Sequence, residues 1–161
     1  MKSNRRRFIE TTLAGSVATI VPGLQFQSGS PKEKYSQLDE ILKKPVLKRD
    51  LFPEPVIISS LELLRLKNDF LCRVRSKDGA EGISVGHSGQ LRSQYPIFTN
   101  LLQPFFINKD ARDLDLLIEK VYIYKLNFRL SGMALGVPLA TIEFAILDMM
   151  GRITGKSIGQ L

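Results

Sequence analysis

Apolar and polar residues in the middle of the chain follow the pattern of three short strands. Residues 57–66, 70–76 and 81–87 have the length and the β-branched or alternating composition of β-strands. Two short links, Asn68-Asp69 and Asp78-Gly79, separate them and favour tight hairpin turns. The pattern therefore predicts an antiparallel three-stranded meander.

Alternation within the strands also predicts which side chains face the core. In the second strand Phe70, Cys72 and Val74 share one face. In the third strand we expect Ile83 and Val85 to point inward, with polar side chains over much of the opposite face.

The hydrophobic period then changes from two to 3.6, which indicates helices. The first helical stripe comprises Ile97, Phe98, Leu101, Leu102, Phe105 and Phe106. The second comprises Leu114, Leu117, Ile118, Val121 and Tyr122. The third comprises Ile142, Ala145, Ile146, Met149, Met150 and Ile153. Strands followed by helices predict an α+β domain.

The third helix is apolar on more than one side. We expect a loop over residues 131–136, a first helical turn containing Pro138, and a stop at Gly155. Phe144 and Leu147 lie on the side opposite the main stripe. A surface helix normally has one apolar stripe, so this helix is expected to need partners on two sides.

Composition excludes several classes of site. The 161 residues include one cysteine, Cys72, and one histidine, His87, so an internal disulfide and a multi-histidine metal site are both excluded. The net charge is +7, and part of it comes from the N-terminus. The remaining basic residues are interleaved with acidic ones and form no stripe with aromatics, which argues against nucleic acid as a partner.

The N-terminus is typical of an export signal. A basic stretch precedes an apolar run at about residues 11–21, which is too short to span a bilayer. Arg5, Arg6 and Phe8 resemble the twin-arginine motif. Residues 1–30 are therefore predicted to address the protein to the periplasm through the twin-arginine machinery, without a stable membrane anchor; a disordered basic tail is the alternative.

Residues 31–55 are predicted to form a linker that contains one short helix. Pro45 is expected to end that helix. Its apolar face comprises Tyr35, Leu38, Ile41 and Leu42.

The segment PLATIEFAILDMMGRITGKSIGQL carries a family resemblance. It resembles the end of the N-terminal capping domain of the enolase superfamily, in the mandelate racemase/muconate lactonizing enzyme branch. The matching positions are Ala140, Ile142, Glu143, Ala145, Asp148, Gly151, Arg152, Gly155 and Leu161. The resemblance covers residues 56–161 and implies an α+β fold: a three-stranded antiparallel meander followed by a three-helix bundle, cut at the start of a (β/α) barrel that is absent from this sequence.

In the resembled family the barrel carries the chemistry. It holds Mg²⁺ on three carboxylates, and a Lys or His base removes the proton next to a substrate carboxylate, as in acid-sugar dehydratases, racemases and cycloisomerases. None of those barrel positions exists in this sequence, so the chain alone is not expected to be catalytic. Glu143 and Asp148 are five residues apart, so they do not share a helix face well, and they are interpreted as structural.

The resemblance implies that two loops of this domain close the barrel mouth over a small carboxylate substrate. The first, at residues 67–69, is short. The second, at residues 86–95, is expected to be polar and flexible. His87, Ser88 and Arg92 in it are the candidate substrate-binding residues, with Arg92 suited to a carboxylate. A solvated loop without a ligand is the alternative.

Three hypotheses for the whole protein remain open. The first is the N-terminal piece of an exported enzyme whose barrel follows in cis. The second is a standalone exported binding or interaction protein that reuses the capping fold. The third is a split enzyme whose barrel is supplied in trans. Aggregation of the purified chain would favour the first and a clean dimer the second.

Overall fold

The structure is a computed structural model that describes residues 31–43, 47–130 and 132–161. The predicted export signal in residues 1–30 lies outside the described residues, so its arginine pair is not placed.

The chain divides into two compact units, Met1–Leu42 and Lys43–Leu161. In the first unit, helix α1 (Pro31–Leu42) is the short helix that the apolar spacing predicts. Tyr35 and Leu38, which belong to its predicted apolar face, are exposed.

The second unit contains the predicted meander. Strands β1 (Ile58–Leu66), β2 (Asp69–Ser76) and β3 (Glu81–Gly86) pair antiparallel in the order β1-β2-β3. Leu66 pairs directly with Asp69, so the first turn consists of two residues and begins one residue earlier than predicted. At the second turn Gly79 has a φ of +85°, a left-handed conformation that favours glycine.

The prediction that Ile83 and Val85 face inward is wrong. Val85 is 74% exposed and Ile83 is 39% exposed, while Gly82 and Gly86 are buried. A Cβ on Gly82 would collide with the backbone of the last helix at Ala145. The backbone of β3 approaches that helix so closely that only small residues fit on the inner face, which forces the larger side chains outward.

Helices follow the sheet, as expected for an α+β fold. Helix α2 (Ser88–Ile97), a π-helical turn (Phe98–Leu102) and helix α3 (Gln103–Phe106) follow one another without a break. Helix α4 (Leu114–Ile123) matches the second predicted stripe, and α5 (Met133–Thr154) matches the third. Within the described residues these elements form no (β/α) barrel.

Helix α5 differs from its prediction at its start and agrees at its end. It begins at Met133, so residues 133–136 are helical and Pro138 lies inside the helix instead of in its first turn. Gly155 ends it with a φ of +66°, as predicted. By length and composition α5 could cross a membrane, but 56% of its most apolar window is buried in this domain, which is typical of a core helix.

The core lies between the inner face of the sheet and the helices. The apolar face of α5 is its centre, because Ile142, Ala145 and Met149 are completely buried. Ile153, assigned to the same stripe, is 43% exposed in the last helical turn. Phe144 on the opposite side is 55% exposed, whereas Leu147 on that side is partly buried against the core.

The polypeptide preceding β1 packs against the same core. Leu47, Phe52 and Val56 are buried, although the sequence predicts a linker as far as residue 55. The backbone N–H of Lys48 donates to the carbonyl of Leu161 at 2.7 Å, which joins the two ends of this unit.

An ion pair between Asp110 and Arg112 holds the segment before β1 in place. Asp110 accepts from the side chain of Arg112 at 2.8 Å and from the backbone N–H of Val56 at 3.1 Å. Arg112 in turn donates to the carbonyls of Phe52 and Pro53. Burial raises the pKa of Asp110, but the hydrogen bonds from Arg112 and Val56 outweigh it and hold that pKa below its usual value.

Candidate functional site

The region predicted to be a flexible substrate loop is instead the start of α2. His87 caps the helix: its Nδ1 accepts from the backbone N–H of Gln90 at 3.2 Å. Ser88 Oγ donates to Asp69 Oδ1 at 2.8 Å and so ties the helix to the β1–β2 hairpin. The loop prediction is wrong because polar residues in a first helical turn carry no apolar stripe, and a histidine cap is hard to recognise.

Arg92 lies one turn further along α2 and faces the same hairpin. Its Nη2 donates to Asn68 Oδ1 at 3.4 Å, a long hydrogen bond that leaves most of the guanidinium donors available. The structure thus places His87, Ser88 and Arg92 together at one end of the domain. His87 and Ser88 have local structural partners, and Arg92 lines a cleft.

That cleft, of about 230 Å³, lies between the inner face of β1 and one face of α2. We call it the arginine cleft. Its lining residues are Leu63, Arg65, Phe70, Arg92, Tyr95 and Thr99. The lining thus combines two apolar residues with two arginines and two residues that carry hydroxyl groups.

Arg65 reaches the cleft because of the strand register. It pairs with Phe70, and both side chains lie on the inner face, where Leu63 is the next residue along β1. The guanidinium carbon of Arg65 lies 5.8 Å from the centre of the Phe70 ring. Its Nε donates to the carbonyl of Lys67 at 3.1 Å, so the side chain is held by the turn and by the ring.

Neither arginine of the cleft is neutralised within the described part of the chain. No carboxylate of those residues lies within salt-bridge distance of Arg65 or Arg92. Asp69, on the same hairpin, accepts a hydrogen bond from Ser88. The residues that line the cleft thus include two arginines and no acidic residue.

The outer face of the sheet has the opposite arrangement. Arg73 contacts Glu62 at 2.7 Å, and Arg75 contacts Glu81 at 2.8 Å, so each arginine has a carboxylate on the neighbouring strand. The hydrogen bond from Arg73 lowers the pKa of Glu62. These charges are matched across the strands and leave no site for an added ion.

The described residues do not supply a magnesium site. No group of three or more His, Cys, Asp or Glu side chains in that part of the chain could hold a metal ion. Asp148 accepts from the backbone N–H of Ile83 at 2.8 Å and from Arg152 at 2.9 Å, so it joins α5 to β3. Burial, with a smaller effect of Asp115, raises the pKa of Glu143, which lies elsewhere on α5.

Solved structures share this fold, although no family model and no curated protein sequence matches the chain. A mandelate racemase/muconate lactonizing protein from Paracoccus denitrificans Pd1222 is 17% identical and has a TM-score of 0.55, with 62% of this chain and 28% of that chain covered. A mandelate racemase/muconate lactonizing protein from Paracoccus denitrificans PD1222, complexed with magnesium, gives 19% identity, a TM-score of 0.53 and coverage of 62% and 28%. A muconate cycloisomerase from Azorhizobium caulinodans is 19% identical, with a TM-score of 0.54 and coverage of 65% and 30%.

The chain has the fold of part of these proteins. It spans 28% to 30% of the length of the three. The likeness confirms the predicted three-stranded sheet followed by helices. At sequence identities of 17% to 19%, the similarity shows a shared fold alone.

Sequence reasoning identified one of the two arginines in the cleft. Arg65 was missed because strand alternation was used only to find apolar core positions, yet Arg65 continues the inward series of β1 after Leu63. Tyr95 was missed because it lies in the stretch predicted to be a loop, and Thr99 was missed because only the apolar residues of the first helical stripe were considered.

Proposed function

We propose that this chain is the capping and substrate-specificity domain of an exported enzyme of the mandelate racemase/muconate lactonizing type. The observation that carries the proposal is the coverage of the fold match: more than 60% of this chain corresponds to less than a third of each of the three proteins compared above. In this proposal a barrel domain, joined in cis or supplied in trans, completes the enzyme.

The outer side of α5 supports the proposal by its composition. Val137, Ala140, Phe144 and Leu147 recur every three or four residues along one side of α5, and Leu147 also packs against the edge of the core. Phe144 is 55% exposed and the other three are partly exposed. We propose that this outer stripe docks on the barrel.

The proposed activity of the whole enzyme is magnesium-dependent removal of a proton next to a carboxylate, as in acid-sugar dehydratases, racemases or cycloisomerases. The metal is assigned to the barrel, because the described residues contain no ligand cluster for it. No catalytic step is assigned to this chain. Its proposed contribution is to close the barrel mouth and exclude water from a carboxylate substrate.

His87, Ser88 and Arg92 remain the proposed substrate-facing residues of this domain. They lie beside a hairpin turn of two residues, which is too short to form a lid by itself. Export through the twin-arginine machinery, directed by Arg5 and Arg6, is also part of the proposal.

The experiment that tests the proposal is sequencing of the source DNA across codon 161 and about 800 bases beyond it, the length of a typical barrel. We expect an in-frame continuation with alternating strands and helices, acidic strand ends and a lysine, or a neighbouring gene that encodes such a barrel. A stop codon without any such barrel, together with a soluble monomer or dimer of the purified chain, would overturn the proposal in favour of a standalone binding protein.

A second experiment tests the docking surface in the assembled protein. Phe144→Glu places a charge on the outer stripe and is expected to abolish activity and association with the barrel. Val85→Glu is the matched control, because Val85 is 74% exposed on the outer face of the sheet. Equal loss of activity in both variants would contradict docking through α5.

A further inference from the structure

The outer face of the sheet is apolar in the half nearest the β1–β2 turn. Strand register places Leu64, Leu71 and Val85 in one row across the three strands, because Leu71 pairs with Leu64 on one side and with Val85 on the other. Leu66 and Ile83 are the neighbouring outward residues on β1 and β3 and extend this row. We call these five residues the sheet patch.

The sheet patch is open to solvent. Val85 is 74% exposed, Leu66 is 63% exposed, and Leu64 and Ile83 are each 39% exposed. Helix α5 packs on the opposite face of the sheet, where a Cβ on Gly82 would collide with its backbone. A contiguous group of exposed apolar side chains is typical of a contact with another macromolecule.

We propose that the sheet patch binds a second copy of this chain. The two sheets pack face to face about a two-fold axis that runs along the row of Leu64, Leu71 and Val85. Each residue of the row then meets its own counterpart, as in any interface on a two-fold axis. Sheets that pack face to face lie about 10 Å apart, with their strands within about 30° of each other.

Charges on β2 favour this axis. Asp69 and Arg73 lie two residues before and two residues after Leu71, on the same outer face. Rotation about the row reverses the direction of the strands, so Arg73 of each copy lies opposite Asp69 of the other. Two symmetric ion pairs therefore flank the apolar row.

The other face-to-face arrangement brings like charges together. A two-fold axis parallel to the strands along β2 would place Arg73 opposite Arg73 and Arg75 opposite Arg75. Like charges that face each other across an interface disfavour association. The register of the sheet thus favours the axis along the row over the axis along β2.

Both charged groups have hydrogen-bonding atoms left for the second copy. Arg73 donates to Glu62 through Nε and Nη2, which leaves Nη1 for a second carboxylate. Asp69 accepts from Ser88 through Oδ1, which leaves Oδ2 as an acceptor. A free ion would have to be captured by an arginine that already has a partner, whereas the carboxylate of a docked copy is held in position by the apolar contact.

The small size of the sheet patch predicts a weak dimer. Standard interfaces involve roughly 20–30 residues on each side, whereas the patch and its two flanking charges make up seven. We expect a dissociation constant of roughly 10–100 µM. The dimer leaves the outer stripe of α5 uncovered, because α5 lies on the other face of the sheet. The inference therefore does not depend on the proposed barrel.

The first test is analytical ultracentrifugation of the purified full chain from about 1 µM to about 500 µM, a range that brackets the expected dissociation constant. We expect the mass to rise from that of one chain to that of two. Val85→Glu is expected to weaken the dimer at least about tenfold, because it places two carboxylates against each other on the axis. Phe144→Glu is the matched control, since it adds the same charge at a residue that is 55% exposed on α5, and it is expected to leave the dimer unchanged.

A pair of charge reversals tests the axis itself. Asp69→Arg puts like charges opposite each other, and so does Arg73→Asp, so each variant alone is expected to be a monomer. In an equimolar mixture each introduced charge faces an opposite one, and the dimer is expected to return. Asp78→Arg is the control, because it makes the same change of charge in the exposed β2–β3 turn, at the other end of the sheet. It is expected to leave the dissociation constant unchanged.

Four results would overturn the inference. They are a monomer over the whole concentration range, a dimer that survives Val85→Glu, an equal loss of the dimer in Phe144→Glu, and a mixture of the two charge variants that stays monomeric. The amide spectrum of each variant checks that its fold is intact. None of these results bears on whether a barrel completes the enzyme, so the two proposals fail independently.

Discussion

The two faces of the three-stranded sheet differ in whether their arginines have carboxylate partners within the described residues. The outer face pairs its arginines with glutamates on neighbouring strands, Arg73 with Glu62 and Arg75 with Glu81. The inner face buries small and apolar residues under α5, and at its hairpin end it presents Arg65 without a carboxylate partner in the described part of the chain. Matched charges stabilise a solvated surface slightly, whereas an unmatched charge beside apolar side chains is available to a ligand.

The largest expected loss of stability comes from adding a side chain on the inner face of the sheet. Gly82→Val places a branched side chain against the backbone of α5 at Ala145 and Met149, where there is no room for a Cβ. We expect a loss of about 4 kcal/mol or more in the free energy of unfolding, measured by urea denaturation. Val85→Ala, a change on the outer face in the same strand, is expected to cost less than about 0.5 kcal/mol.

Burial on the inner face of the sheet should also protect the thiol of Cys72 from chemical modification. Burial raises the pKa of Cys72 to about 12, so the thiol stays protonated at neutral pH and cannot act as a nucleophile in the folded domain. We expect an aromatic disulfide reagent to modify the native protein at least about 1,000-fold more slowly than the urea-unfolded protein, because reaction requires opening of the domain. Rapid modification of the native protein would show that this part of the core is open.

Two ion pairs allow a comparison of buried and exposed charges. The side chains of Asp110 and Arg112 are 16% and 13% exposed, and the pair also holds the segment before β1. Asp110→Ala removes the carboxylate partner of Arg112 and the acceptor of the Val56 N–H, and is expected to cost about 3 kcal/mol. Because the folded-state pKa of Asp110 is lowered, its stabilisation is present above the unfolded pKa of about 4 and is lost as the pH falls through the folded pKa. Thermal melts between pH 7 and pH 2 should therefore show a shallower acid decline in Asp110→Ala than in the parent protein.

The exposed ion pair between Glu62 and Arg73 is expected to contribute least to the free energy of unfolding. Glu62 and Arg73 have side chains that are 39% and 27% exposed, so solvent screens their attraction. Glu62→Gln is expected to lower the free energy of unfolding by about 0.5 kcal/mol, less at high salt. The pKa of Glu62 is also lowered, so the difference from the parent protein should disappear as the pH falls through that pKa. A loss as large as that of Asp110→Ala would remove the distinction between the two pairs.

Local signals in the sequence were enough to predict the order of the elements. The meander, the two hairpin turns, the second helical stripe and the stop at Gly155 all depend on neighbouring residues, because turn chemistry and side-chain periodicity act over a few positions. The exposed Phe144 was also predicted, since an apolar side chain opposite a complete apolar face stands out in the helical pattern.

The features that depend on packing between distant elements could be seen only in the tertiary structure. The apolar residues Ile83 and Val85 lie outside because α5 approaches β3 too closely for any side chain larger than those of Gly82 and Ser84. The sequence of β3 alone does not contain that distance. The helical start at Ser88 was likewise hidden, because its polar residues pack against a hairpin that is distant in sequence.

The sequence by itself thus determined an α+β meander with helices, and pointed to Arg92 as a group suited to a carboxylate. Only the tertiary structure brought Arg65 of β1 and Arg92 of α2, 27 positions apart, to the same cleft above Phe70. The physical reason is that periodicity fixes which side of its own element a residue occupies, whereas the packing of a strand against a helix decides which two sides meet.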